Sequence, residues 1–139
     1  MLVGLKTGIP KQGVLALTIA GFVVFAAPNV SEASEAERYG PEYQRCNDKP
    51  TLQIVTCVQE FTKAWDDRLN AAYKKLRGSF PEERKILLRD SQRLWVKYRD
   101  ANCAYYYSRE GSLRHIEAAE CLRSMTAARA LELEDELRP

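Results

Sequence analysis

The sequence predicts an all-α protein, a small antiparallel bundle of three helices with a short fourth helix at its N-terminal end, pinned by two disulfides. Three observations lead there. Apolar residues recur at steps of three and four in three separate segments, which is the helical period. Pro50, Gly78, Pro81 and Gly111 fall between those segments, and four cysteines flank two of the breaks.

The chain opens on what reads as a secretory signal. Lys6 and Lys11 supply the positive start, Val14 to Ala27 is almost wholly apolar, and Ser31-Glu32-Ala33 suits cleavage, with Ser34-Glu35-Ala36 as the next such site. The apolar stretch is shorter than the roughly 20 residues that a permanent span requires. Removing residues 1–33 from the 139 leaves 106, enough for one domain with a modest core. A periplasmic or secreted protein is the expectation. Without Lys6, Lys11 and Glu32 the 21 basic and 19 acidic residues become 19 and 18. So even a balance gives no electrostatic case for nucleic acid or an anionic membrane as partner.

Residues 34–45 are expected to be a flexible leader ending in a turn of helix over Pro41 to Arg45, and residues 46–139 the folded domain. Pro50 then breaks the chain, with Thr51 as the expected N-cap. The first long helix carries Ile54, Val58, Phe61, Trp65, Leu69, Ala72 and Leu76 on one face. Gly78 suits its C-terminal cap, and Ser79 with Glu82 makes a capping-box pattern around Pro81 for the next helix. That second helix has two adjoining stripes. One holds Leu87, Ser91, Leu94, Tyr98, Ala101 and Tyr105; the other holds Leu88, Gln92, Trp95, Arg99, Asn102 and Tyr106. It should end near Glu110, with Gly111 as the stop. The third helix starts at about Leu113 and lines up Ala119, Leu122, Thr126, Arg129, Leu133 and Leu137.

Four cysteines in an exported domain favour disulfides, and three pairings are open to them. The Gly111-Ser112 turn lies midway between Cys103 and Cys121, so helices folding back there bring the two level; Cys46 and Cys57 flank the Pro50 break in the same way. The expected pairs are therefore Cys46 with Cys57 and Cys103 with Cys121. Short loops of this kind stabilise by about 3 kcal/mol each in the chain-entropy description. Neither C-x-x-C nor a histidine cluster is present to hold zinc, and no metal or cofactor is expected.

Polar residues crowd the apolar stripes. Asp66, Asn70 and Tyr73 adjoin that of the first helix, Gln92, Arg99, Asp100 and Asn102 that of the second, and Thr126 and Arg129 lie on the third. Unpaired burial would cost several kcal/mol, so the expectation is a structural network in which Arg99 pairs with Asp66 while Asp100 and Arg129 bridge helices. Catalysis has little to work with. His115 is the only histidine, no nucleophile and base can be assembled around it, and the paired acids Asp66-Asp67 and Glu82-Glu83 diverge by about 100° on a helix. Phosphate loops and nucleotide fingerprints are absent. Tyr105-Tyr106-Tyr107 spans most of a helix circumference, so one ring must face solvent or the turn.

With these motifs laid out, the chain resembles the LprI-like lysozyme-inhibitor family. The resemblance rests on Cys46 and Cys57; Asp66-x-x-Leu69-Asn70-x-x-Tyr73; Gln92-x-x-Trp95-x-x-Tyr98-Arg99-Asp100-x-x-Cys103; Gly111-Ser112; and Cys121 with Thr126, Arg129 and Leu133-Glu134. It implies an exported, disulfide-stabilised helical domain with lysozyme as partner, while the poor catalytic inventory is the ground for expecting no enzymatic activity. It supplies no inhibitory residue. From the residues themselves, the best means of occluding a lysozyme cleft is the turn Ser108 to Arg114, with Arg109 or Arg114 facing the catalytic carboxylates and Tyr107 and Glu110 beside them. The alternative is a binding or assembly module for an envelope protein or peptidoglycan fragment. An exposed aromatic patch away from Gly111 would favour it.

Overall fold

The computed structural model describes residues 41–138, and the side chains from Tyr43 onward. The expected signal and most of the leader lie outside the described residues. Four helices follow in order: α1 Pro41–Gln44, α2 Thr51–Ser79, α3 Glu82–Tyr107 and α4 Arg114–Asp135. No strand interrupts them among the described residues. The all-α bundle is as expected, and so are both disulfides. Cys46 joins Cys57 and Cys103 joins Cys121.

The last helix organises the bundle. Both α2 and α3 pack on α4 and touch each other little. α2 lays Trp65, Leu69, Ala72 and Leu76 against Ala127, Ala130 and Leu133 of α4, with Trp95, Leu88 and Phe80 closing the edges. Alanine on the α4 side lets the two backbones come close, so the large side chains of α2 fill the space between them. A second, smaller cluster lies at the other end, where Val58 and Ala119 pack on the Cys46–Cys57 bridge with Tyr43, Ile54 and Phe61 around them. The predicted stripe of α2 is thus the core stripe.

For α3 the choice between its two stripes goes to the more polar one. Leu88, Gln92, Trp95, Arg99, Asn102 and Tyr106 are all half-buried, and the first five reach the core or α4. Leu87, Leu94, Tyr98 and Tyr105 stand 63%, 66%, 62% and 63% exposed. The disulfide at Cys103, the one buried residue of α3, fixes the rotation, because it must point at Cys121. Trp95 lies two turns before Cys103 and buries more area than any leucine of the other stripe could.

Several helix ends differ from expectation. Thr51 is the first helical residue and Pro50, in extended conformation, occupies the N-cap with no side-chain cap bond. α2 runs through Gly78, whose φ is not positive, to Ser79. With only Phe80 and Pro81 left as connector, the Ser79–Glu82 capping box does not form; Ser79 Oγ donates to the Leu76 carbonyl at 3.1 Å instead. α3 stops at Tyr107 rather than near Glu110, and Gly111 takes the left-handed φ of 84° within the turn. Leu137, expected on the α4 stripe, lies beyond the helix and is exposed.

Candidate functional site

The turn between α3 and α4 is built from short-range bonds and stacked rings. Ser108 Oγ donates to the Tyr105 carbonyl at 2.7 Å, ending α3. Gly111 reverses the chain at a φ that a Cβ would strain. The Cys103–Cys121 bridge then ties the two helices together at the base of the turn, with Cα atoms 5.5 Å apart.

Arginines and tyrosines dress this turn. The Arg109 guanidinium lies 4.7 Å from the Tyr106 ring centroid and 5.6 Å from that of Tyr105, and pairs with Glu117 at 3.1 Å. Arg114 lies 5.3 Å from the Tyr107 centroid, with its Nε buried and without a hydrogen-bond partner. Tyr107 also meets the His115 ring edge-on at 5.3 Å. Each cation–ring contact is worth about 0.5–1 kcal/mol at an exposed site. Their combined effect is to hold two cations in fixed positions while Tyr107 and Leu113 remain 51% and 64% exposed. Glu110 is exposed at the tip.

The polar residues beside the core divide into two sets. Those at the α3–α4 seam bridge helices: Arg129 of α4 donates to Gln92 Oε1 at 3.0 Å, and Arg99 reaches the buried Thr126 hydroxyl at 3.4 Å. Asn102 donates towards the sulfurs of Cys121 and Met125 at 3.4 and 3.3 Å. Those on α2 do not bridge. Asp66 accepts from Asn70 on its own helix at 2.9 Å, and the expected Arg99–Asp66 pair is replaced by Arg99–Asp100 at 2.9–3.0 Å. The reason is the distance α2 keeps from α3. Between the two helices runs a groove of about 620 Å³, lined by Asp66, Asn70, Tyr73, Gln92, Trp95 and Arg99 together with four more cations.

Sequence reasoning missed the largest buried polar side chain among the described residues. Arg123 is fully enclosed, donates to Glu120 through Nε at 3.0 Å, and lies 4.2 Å from the Tyr43 ring. Tyr43 donates its hydroxyl to the same carboxylate, so α1 is clasped to α4. Burial, and then the Glu120 carboxylate, push the Tyr43 phenol up to about 12. The signal was present as Glu120-x-x-Arg123, an i, i+3 pair beside Ala119 on the buried face. Arg68 was missed as well; it grips Glu134 with two nitrogens at 2.9 and 2.6 Å, joining α2 to α4. Among the described residues no three metal-ligating side chains converge, and no helix is long and apolar enough to cross a membrane.

A family described as "Lysozyme inhibitor LprI" matches residues 45–133, which takes in both disulfides and nearly all of α2 to α4. The chain belongs to this LprI family. Neither the curated proteins nor the solved structures contain a match. For this LprI family member the match ends at Leu133, the last core residue of α4, and so covers the turn, the groove and the α4 half of the Arg123 clasp, while Tyr43 lies just before it.

Proposed function

We propose that this chain is an exported lysozyme inhibitor that acts without covalent chemistry, by seating the turn from Tyr107 to Arg114 in the lysozyme cleft. One observation carries the choice of surface: the turn is braced at its base by the Cys103–Cys121 bridge and presents two ring-stacked arginines beside exposed Tyr107 and Leu113. A segment already held in one shape gives up little conformational freedom on binding. Fixed guanidiniums suit a cleft whose chemistry rests on two carboxylates, and aromatic anchors with arginine are the usual centres of binding energy. Family membership supplies the target class.

The test is lysozyme turnover of cell-wall substrate, titrated with the oxidised domain and with a reduced, alkylated control. Dose-dependent inhibition that disappears on reduction is expected, with at least a tenfold weaker effect from an Arg109→Glu, Arg114→Glu double variant whose helical circular dichroism matches the parent. A double variant that inhibits as well as the parent ends the proposal.

A second reading has its own observation. Leu87, Leu94 and Tyr98 form an exposed apolar stripe on α3, well away from Gly111, and such a patch marks a surface for another protein. On this reading the chain is a binding or assembly module of the cell envelope. Leu94→Asp would then abolish co-purification of an envelope partner yet leave lysozyme inhibition intact.

A further inference from the structure

The α2–α3 groove is a concavity that neither reading uses. Its composition departs from that of the chain as a whole. The full sequence carries 21 basic and 19 acidic residues, whereas the groove gathers Arg77, Arg89, Arg93, Lys97 and Arg99 against the single carboxylate of Asp66. Arg89 and Arg99 are partly neutralised by Asp90 and Asp100. Arg77, Arg93 and Lys97 form no ion pair among the described residues, which leaves a local positive field on a nearly neutral protein. A cleft of one sign between low-dielectric walls concentrates that field and draws in the opposite charge.

The arrangement along α3 narrows the ligand further. Arg89, Arg93 and Lys97 follow at intervals of four residues, so they form one row rising about 6 Å per step. An extended peptide places every second side chain on the same face, at a repeat of about 6.7 Å. Over three positions the two repeats drift apart by little more than an ångström, well within the reach of arginine and lysine stems. The other wall completes the match. Asn70 spends an amide N–H on Asp66, leaving its carbonyl free to accept, while Gln92 spends its carbonyl on Arg129, leaving its amide free to donate. One free acceptor and one free donor facing a common groove are what a peptide backbone requires. Trp95 and Tyr73, both half-buried, supply the apolar floor. The volume of about 620 Å³ falls in the range of genuine ligand sites and suits about five extended residues.

We infer that the groove between α2 and α3 binds an extended acidic peptide segment of a partner protein, with carboxylates at alternate positions meeting Arg89, Arg93 and Lys97. The recognition follows the general mode of arginine clusters reading acidic motifs. The site lies on a different face of α3 from the Leu94–Tyr98 stripe, and its Lys97 end is about three turns of helix short of the end of α3 at Tyr107. It therefore stands whether or not lysozyme is the target.

The experiment is fluorescence anisotropy with the oxidised domain and a labelled Glu-Ser-Glu-Ser-Glu peptide at low salt. Saturable binding is expected, weakening as salt is raised, and at least tenfold weaker for Gln-Ser-Gln-Ser-Gln. The equally charged Glu-Glu-Glu-Ser-Ser should bind several-fold less tightly, since only the alternate spacing matches the cation row. An Arg93→Glu, Lys97→Glu double variant should lose at least tenfold in affinity while its circular dichroism stays that of the parent. Should that variant lose helicity, Arg93→Gln, an exposed single change, carries the test with a loss of about threefold. The inference is overturned by absence of binding, by equal affinity for the glutamine peptide, by indifference to the groove variants, or by a trigalacturonate saccharide binding as tightly as the acidic peptide.

Discussion

α2 and α3 are nearly equal in length, at 29 and 26 residues, and share one partner in α4, yet they are held to it by different means. α2 buries Val58, Trp65, Leu69, Ala72 and Leu76, whereas α3 buries Cys103 alone. α3 is fastened by its disulfide, by half-buried Leu88 and Trp95, and by the Gln92–Arg129 and Arg99–Thr126 bonds. Its more aliphatic stripe is left outside. The contrast teaches that the amount of apolar area in a stripe does not decide which stripe turns inward. A fixed covalent point and a single tryptophan, together with polar side chains that find partners on α4, outweigh two leucines and two tyrosines.

The largest expected effect separates the two helices directly. Leu76→Ala removes a 1% exposed side chain from the α2–α4 core, and truncations of this kind cost about 2–5 kcal/mol because the cavity does not collapse fully. Leu94→Ala removes one that is 66% exposed, so its cost should lie within about 0.5 kcal/mol. Urea unfolding of the two variants at neutral pH measures both. Equal destabilisation would break the comparison and place Leu94 in an interface, such as a dimer, that the single chain does not contain.

How far the sequence could be read follows from the same contrast. α2 was legible because only one of its faces is apolar; Trp65, Leu69 and Leu76 leave no second choice. The disulfide pairs were legible because each flanks a break that folds the chain back on itself. In α3 two stripes compete, and the deciding term, which polar groups find partners on α4, depends on tertiary placement that no single segment encodes. For the same reason Asp66 and Arg99 were legible as near-core residues but not as the walls of a groove. Their pairing assumed that α2 and α3 touch, and both lean on α4 instead. Helix ends failed for a local reason: Pro50 and Pro81 took the cap positions from Thr51 and Ser79.

A middle-sized effect sharpens the polar half of the comparison. Gln92 on α3 supplies the acceptor for Arg129 Nε across to α4 at 3.0 Å, and the Arg129 side chain is only 10% exposed. Gln92→Ala leaves that donor short of a partner and should cost about 1–2 kcal/mol. Asn70→Ala, on the groove side of α2, removes only an exposed bond to Asp66 on its own helix and should cost less than about 0.5 kcal/mol. Thermal melts of the pair would show whether polar contacts hold α3 in place. A Gln92→Ala variant as stable as Asn70→Ala would leave the disulfide and Trp95 as the whole anchor.

The smallest effect concerns the polar clasp at the opposite end, where α1 is held beside the first turns of α2. Tyr43 donates to Glu120, and burial, reinforced by that carboxylate, raises its phenol from 10.0 to about 12. The folded protein therefore holds this proton more tightly than the unfolded chain does. The stability it contributes is complete below about pH 10, where the phenol is neutral in both states, and is lost as pH rises from there through about 12. Half-exposure screens the effect to the order of 1 kcal/mol or less. Urea midpoints taken between about pH 9 and 11.5 should fall less steeply for Tyr43→Phe than for the parent, because phenylalanine has no proton to lose, whereas Gln92→Ala should keep the parental decline. Parallel curves for the parent and Tyr43→Phe would mean that the Tyr43 hydroxyl bond to Glu120 adds nothing to the hold on the N-terminal end of the bundle, and that the ring contact with Arg123, the Cys46–Cys57 bridge and its apolar cluster suffice there.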